Sequence, residues 1–295
     1  MPVSAPNAIQ GLAGLVSEPN EVFMLTNVYL EEYESQQAVP KYVSRTAGAG
    51  IAYVLENVYG PIYADLLDKM SDQAAQDGGF RVLEYGCGGG MNLLWIVRHV
   101  VQKGQPLALG CGTDFSSKMV AACEQEAREA LHPRDLDKVC FRQIANENLV
   151  RELPKALKRE TREVLGSFHL ILGVNTFRYC FRLGNETESA RGIYSLLRPG
   201  GYTVMIEMNH NFPLFRSRLR RDSVPKEQRY LPTLEQYAGV FRDAGFELQT
   251  VKNFCWVPHS ATPAIVTLLG VASPLLQTLL PRFATRSLVI ARKPQ

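Results

Sequence analysis

The stretch RVLEYGCGGGMNLL, residues 81–94, decides how the rest of the chain is read. An apolar run ends at Gly86, glycines occupy four of the five positions 86–90, and a second apolar run at helical spacing opens at Met91. A strand delivered into a helix through glycines is a ligand-holding turn, because glycine takes positive φ without strain and lets the backbone approach a bound molecule closely. No Gly-Lys-Ser/Thr follows, so the turn is not a phosphate-cradling P-loop. Met91 stands where the dinucleotide pattern GxGxxG needs its last glycine, so that fingerprint also fails.

Working outward, further apolar runs predict strands at 106–114, 138–145, 168–175, 201–209, 246–254 and 286–293, in addition to 81–86. Helical patterns such as SKMVAACEQEAREAL and ETESARGIYSLLR lie between them, the second closed by PGG. Strand and helix in alternation force parallel pairing, hence a doubly wound α/β sheet whose ligands sit at the strands' carboxyl ends. Residues 1–79 stand apart and read as a helical cap, with AGIAYVLENVYGPIYADLLDKM the clearest helix and SDQAAQDGG a closing loop. The division expected is a cap over 1–79 and a ligand-binding domain over 80–295, with insertions at 210–230 and 256–285.

Composition limits the partners. A chain of 295 residues, 46% hydrophobic, has material for a sizeable buried core, and a net charge of +3 is too mild for a nucleic-acid binder. The six cysteines are scattered without CxxC or zinc-ligand spacing, which fits a reducing cytoplasm and predicts no metal. The N-terminal stretch has no basic, then apolar, signal pattern. The apolar tract 261–283 is interrupted by Pro263, Gly270, Pro274 and Pro281, so no membrane span and no integral membrane partner is expected. The reading allows a homodimer.

Glu84, Gly86, Gly88 and Gly90 reproduce the pattern acid-x-Gly-x-Gly-x-Gly, and in this the chain resembles the class I S-adenosylmethionine-dependent methyltransferases. The remaining motifs keep that family's order: GTDFSSKMV after the second strand, RQIANENL after the third, FHLILGVNTFRYC around the fourth and LLRPGGYTVMIEM into the fifth. The resemblance implies a Rossmann-like sheet of seven strands, mostly parallel with an antiparallel last strand, and S-adenosylmethionine as cofactor. It implies that Asp114 holds the ribose hydroxyls, that Phe115 lies against adenine, that Asn146 and Glu147 meet the adenine edge, and that Asn175 lies near the methionine end. The family often has Asp-Ala where this chain has Ala145-Asn146. In the cap, Tyr42 and Arg45 would share one helical face and meet the cofactor's carboxylate. The function implied is methyl transfer to an oxygen, nitrogen or carbon nucleophile of a small organic metabolite, a biosynthetic role. The alternatives are a protein of the same fold catalysing another reaction such as a cyclisation, or a non-catalytic scaffold, since fold does not fix chemistry; a nicotinamide-dependent oxidoreductase is disfavoured by Met91.

Methyl transfer is an in-line displacement, so alignment is the main task and a base is needed only for a protonated nucleophile. His210, after the fifth strand, is the preferred base, with Asn175 and Tyr179 beside the reacting centre; Glu207 and His259 are further candidates at strand ends.

Overall fold

The computed structural model describes residues 47–219 and 230–295. Tyr42, Arg45 and part of the expected 210–230 insertion lie outside the described residues. All seven strands form: β1 (Phe80–Tyr85), β2 (Leu107–Asp114), β3 (Val139–Gln143), β4 (Phe168–Val174), β5 (Leu197–Met208), β6 (Glu247–Phe254) and β7 (Arg286–Arg292). They make one sheet in the order β3-β2-β1-β4-β5-β7-β6. Neighbours from β3 to β5 are parallel, and β7 runs antiparallel to both β5 and β6. The strand order reverses between β1 and β4, the switch point at which such sheets open a crevice.

Successive residues of a strand face opposite sides, and the two faces bury different cores. Leu170, Leu172, Val204, Ile206 and Ile290 enter one hydrophobic cluster, whereas Ile171, Met205, Val289 and Ala291 enter the other. The first face is covered by the cap helix and by α2 (Met91–Gln102). The cap helix, α1, consists of Ala49–Val54 and Gly60–Gln76 joined through a π-helical turn at Leu55–Tyr59. Tyr63, Leu66 and Leu67 on α1 are buried in the same cluster as Val82 and Leu94. The second face is covered by helices that include Glu186–Leu196 and Leu234–Asp243, through Ile193, Tyr237 and Phe241.

Two boundaries differ from expectation. SDQAAQ continues α1 rather than forming a loop, because Ala74 is packed into the core and the chain turns only at Gly78 and Gly79, both at positive φ. The fifth strand begins at Leu197, ahead of the Pro-Gly-Gly, and absorbs the glycines in an irregular start against β4. The tract 261–283 forms α3 (Pro263–Leu279), which tolerates Pro274 and buries none of its residues fully. Among the described residues no helix is long and apolar enough to cross a membrane. The six cysteines are free thiols, and no group of three or more metal-ligating side chains stands together among the described residues.

Candidate active site

At the switch point lies a cavity of about 710 Å³, bounded by the turn after β1, the ends of β4 and β5, and α1. The turn is held from beneath. Gly86, Gly88 and Gly90 all have positive φ, which is why the sequence places glycine there. The Cys87 amide donates to the Thr113 carbonyl at 2.8 Å and the Gly88 amide to Asp114 Oδ2 at 2.9 Å. Asp114 Oδ1 accepts from the Ser116 amide at 3.0 Å, and Ser116 caps the following helix through the Met119 amide. Asp114 thus ties the glycine turn to the end of β2.

Glu84 is 1% exposed and accepts from the Leu93 amide at 2.9 Å and from Asn92 Nδ2 at 2.8 Å. Burial pushes its carboxyl up to about 8, against the two hydrogen bonds that pull it down. The folded protein therefore keeps this proton over a range where the unfolded chain, with a carboxyl near 4.5, has released it. Bound protons are in excess in the native state across that window, so this group's contribution to stability is full below about 4.5 and is lost as pH rises towards about 8. In Glu84→Gln that slope should vanish, on top of a uniform loss of about 1–3 kcal/mol from setting an amide NH₂ against a backbone donor. Urea melts at a series of pH values measure both; an unchanged slope removes Glu84 as its source.

After β4, Asn175 takes φ +57°, a left-handed conformation that asparagine tolerates, and its buried Oδ1 has no hydrogen-bond partner among the described residues. Arg178 follows on the helix Phe177–Leu183. Its Nη1 reaches Glu207 Oε2 at 3.3 Å, its amide reaches Glu207 Oε1 at 3.3 Å, and its Nη2 donates to the Tyr179 hydroxyl at 2.9 Å. Asn146 Nδ2 donates to Thr176 Oγ1 at 3.0 Å, which joins the ends of β3 and β4 in the cavity wall.

At the far side, Tyr59 of α1 meets two residues distant in sequence. Arg286 Nε donates to the Tyr59 hydroxyl at 3.2 Å, and the same hydroxyl lies 3.1 Å from His259 Nε2. Burial, with the charge of Arg286, holds His259 well below the usual imidazole range, so the ring is neutral. Burial likewise pushes the Tyr59 hydroxyl far above its ordinary value.

Of the residues expected from sequence, Glu84, Gly86, Gly88, Phe115, Asn146, Glu147, Asn175 and Tyr179 line this cavity. Gly90 and Asp114 stand behind the wall, Gly90 capping α2 and Asp114 fastening the turn. His210 does not line it: Nδ1 is 2.9 Å from the Leu231 carbonyl, because the chain after β5 turns the ring towards the segment that leads into the Leu234–Asp243 helix. The histidine at the cavity is His259. The sequence reading missed Arg178, Tyr59 and Arg286; only the position of Arg178 directly after the fourth strand was a signal that could have found it.

The residues fit a cofactor that is cationic and lacks phosphate. Positive-φ glycines, the protonatable Glu84 and an unpartnered Asn175 acceptor border this end of the cavity, and Arg178 beside Asn175 is already held by the Glu207 carboxylate.

The sequence profile of a family described as a methyltransferase domain matches residues 59–251. Over 164 residues, 54% of its length, the chain is 23% identical to a non-reducing polyketide synthase from Aspergillus terreus, and it spans 6% of that synthase. Among solved structures, an S-adenosylmethionine-dependent methyltransferase from Mesorhizobium loti is similar with a TM-score of 0.52 at 20% identity, over 81% of this chain and all of the other (100%). The magnesium protoporphyrin IX methyltransferase of Synechocystis with bound S-adenosylmethionine is similar with a TM-score of 0.50 at 14% identity, over 91% and 97% of the two chains. At such identities the structural likenesses speak for the fold.

Proposed function

The chain belongs to the S-adenosylmethionine-dependent methyltransferases, and from that premise we propose that it methylates an oxygen, nitrogen or carbon nucleophile of a small organic molecule bound in the same cavity. The observation that carries this reading is the continuity of the cavity. It runs from the glycine turn to His259 and Arg286, and its volume of about 710 Å³ is within the usual range for ligand sites, roughly 300–1,000 Å³.

S-adenosylmethionine, when bound, supplies an electrophilic methyl group on a sulfonium. The chain's own residues do the rest. The glycine turn gives close backbone approach, with Asp114 holding its shape and remaining the residue proposed for the ribose. Glu84 and Asn175 offer acceptors on the side of the positive charge, and Asn146, Glu147 and Phe115 border the part assigned to adenine. Ile51, Leu55, Met208 and Phe215 give the same cavity an apolar share of its lining. His259 is the base proposed for a hydroxyl or amine nucleophile, since a neutral imidazole is the form that accepts a proton.

Calorimetry tests the cofactor: saturable binding of S-adenosylmethionine and none of NAD is expected, and the opposite pattern overturns the assignment. Methyl gain in a metabolite mixture, read by mass spectrometry, then finds the acceptor. With that acceptor, His259→Ala should lower turnover roughly a hundredfold while cofactor affinity holds, and His210→Ala should leave turnover intact. Because the His259 pKa is lowered, the wild-type rate should stay level as pH falls through about 6.5, the ordinary histidine range, and drop only at more acid pH. Equal turnover in both variants would remove His259 from the reaction.

A further inference from the structure

Arg286 opens β7 and is 4% exposed, yet no carboxylate among the described residues lies within ion-pairing distance of it. Its Nε is taken by Tyr59, and Nη1 donates to the Thr285 carbonyl at 3.3 Å. Phe215 lies under the guanidinium, 5.5 Å from ring centroid to Cζ. Nη2 has no acceptor among the described residues, and the side chain lines the cavity. A lysine in such a place would escape the cost of burial by losing its proton. Arginine does not, because its guanidinium is not deprotonated in proteins. An uncompensated buried cation is costly, and the nearby Arg178 contrasts with it by having Glu207.

The position separates this charge from the cofactor side. Between β1, which carries the glycine turn, and β7 stand β4 and β5. At about 4.8 Å per strand the two ends are roughly 14 Å apart. Met208 is the cross-strand partner of Arg286 and Phe215 lies under its guanidinium, while Tyr59 and His259 supply the polar groups on its other side.

We propose that Arg286 is the anchor for the carboxylate of the methyl acceptor, so that the cavity selects an apolar organic acid held by its acid group against β7. The planar Nη edge matches a carboxylate's two oxygens, and Tyr59 fixes the guanidinium by holding Nε. The proposal rests on the methyl-transfer reading above.

The test compares benzoate and octanoate with benzamide and octanamide by ligand-observed NMR, on the full chain with S-adenosylhomocysteine present, in wild type, R286M and R286K. The wild type is expected to prefer each acid over its amide by about ten- to a hundredfold, the range for hydrogen bonds to a charged group. R286M should lose the preference and R286K should keep part of it. Acids and amides behaving alike in the wild type, or a preference that survives in R286M, overturns the anchor. S-adenosylmethionine affinity is measured in parallel. Its absence in the wild type would sink the methyl-transfer reading itself, whereas intact cofactor binding with no acid preference sinks the anchor alone. Loss of cofactor affinity in a folded R286M would assign Arg286 to the cofactor's own carboxylate and overturn the proposal. If R286M does not fold, the wild-type contrast and R286K decide.

Discussion

Gly86→Ala is expected to abolish S-adenosylmethionine binding. A Cβ built on Gly86 would stand 2.1 Å from Thr176 Oγ1 and 2.7 Å from Thr176 Cβ, and the backbone there is at φ +57°. Thr176 does not yield easily, since it is buried and its hydroxyl accepts from Asn146. The left-handed conformation costs a residue with a Cβ about 1–2 kcal/mol, and forcing extra volume into a packed site about 1–3 kcal/mol more. Relief comes only by moving the turn away from β4, which displaces Gly88 from Asp114 and closes the space at the strand ends. Calorimetry on the variant, with circular dichroism to show that the sheet persists, decides this; near-normal affinity would mean the cofactor does not lie on this turn.

Glu207→Ala should destabilise the protein more than any other single change at the site, by about 3–5 kcal/mol, the usual cost of removing one member of a buried ion pair. Glu207 is 0% exposed and its carboxylate meets both the side chain and the amide of Arg178. Its loss removes the carboxylate that balances the buried Arg178 charge and takes away the acceptor of the Arg178 amide. Combining it with Arg178→Met should restore much of the stability, since replacing both members removes the buried cation that Glu207 balances. Thermal melts read the effect as a fall of roughly 5–15 °C for the single variant, with a smaller fall for the double. A double variant no better than the single would show that the pair is not what Glu207 stabilises. The double variant also asks whether the pair serves catalysis: Arg178 lines the cavity, so cofactor affinity and turnover in a refolded double variant separate support from contact.

The two outcomes would probe different kinds of information. The glycine turn, the alternation of strands and helices, and the strand ends at Asp114 and Asn175 were legible from sequence because each depends on residues close together in the chain. Positive φ demands glycine at Gly86, Gly88 and Gly90 wherever the turn is placed, and an apolar run of strand length between polar stretches predicts its strand without reference to its neighbours. Seven strands were therefore located within a few residues of their true ends. The errors that remain, such as the extension of α1 through SDQAAQ, are places where packing of Ala74 outweighed a polar, loop-like composition.

The acceptor side of the cavity was not legible, for a physical reason. β7, the last strand in sequence, inserts between β5 and β6 and runs antiparallel to both. That placement sets Arg286 opposite Met208 and within reach of Tyr59, 227 residues earlier, which in turn meets His259, 200 residues away. No local periodicity records such a meeting. His210 illustrates the converse: its place just beyond β5 suggested a base, but the direction of its ring depends on the carbonyl of Leu231, which the next helix brings alongside. By itself the sequence determined the α/β plan and the glycine turn, because backbone conformation and amphipathic period are short-range properties. Which charges share the cavity was decided only by the tertiary structure, because burial and strand order bring together side chains that the chain itself keeps far apart.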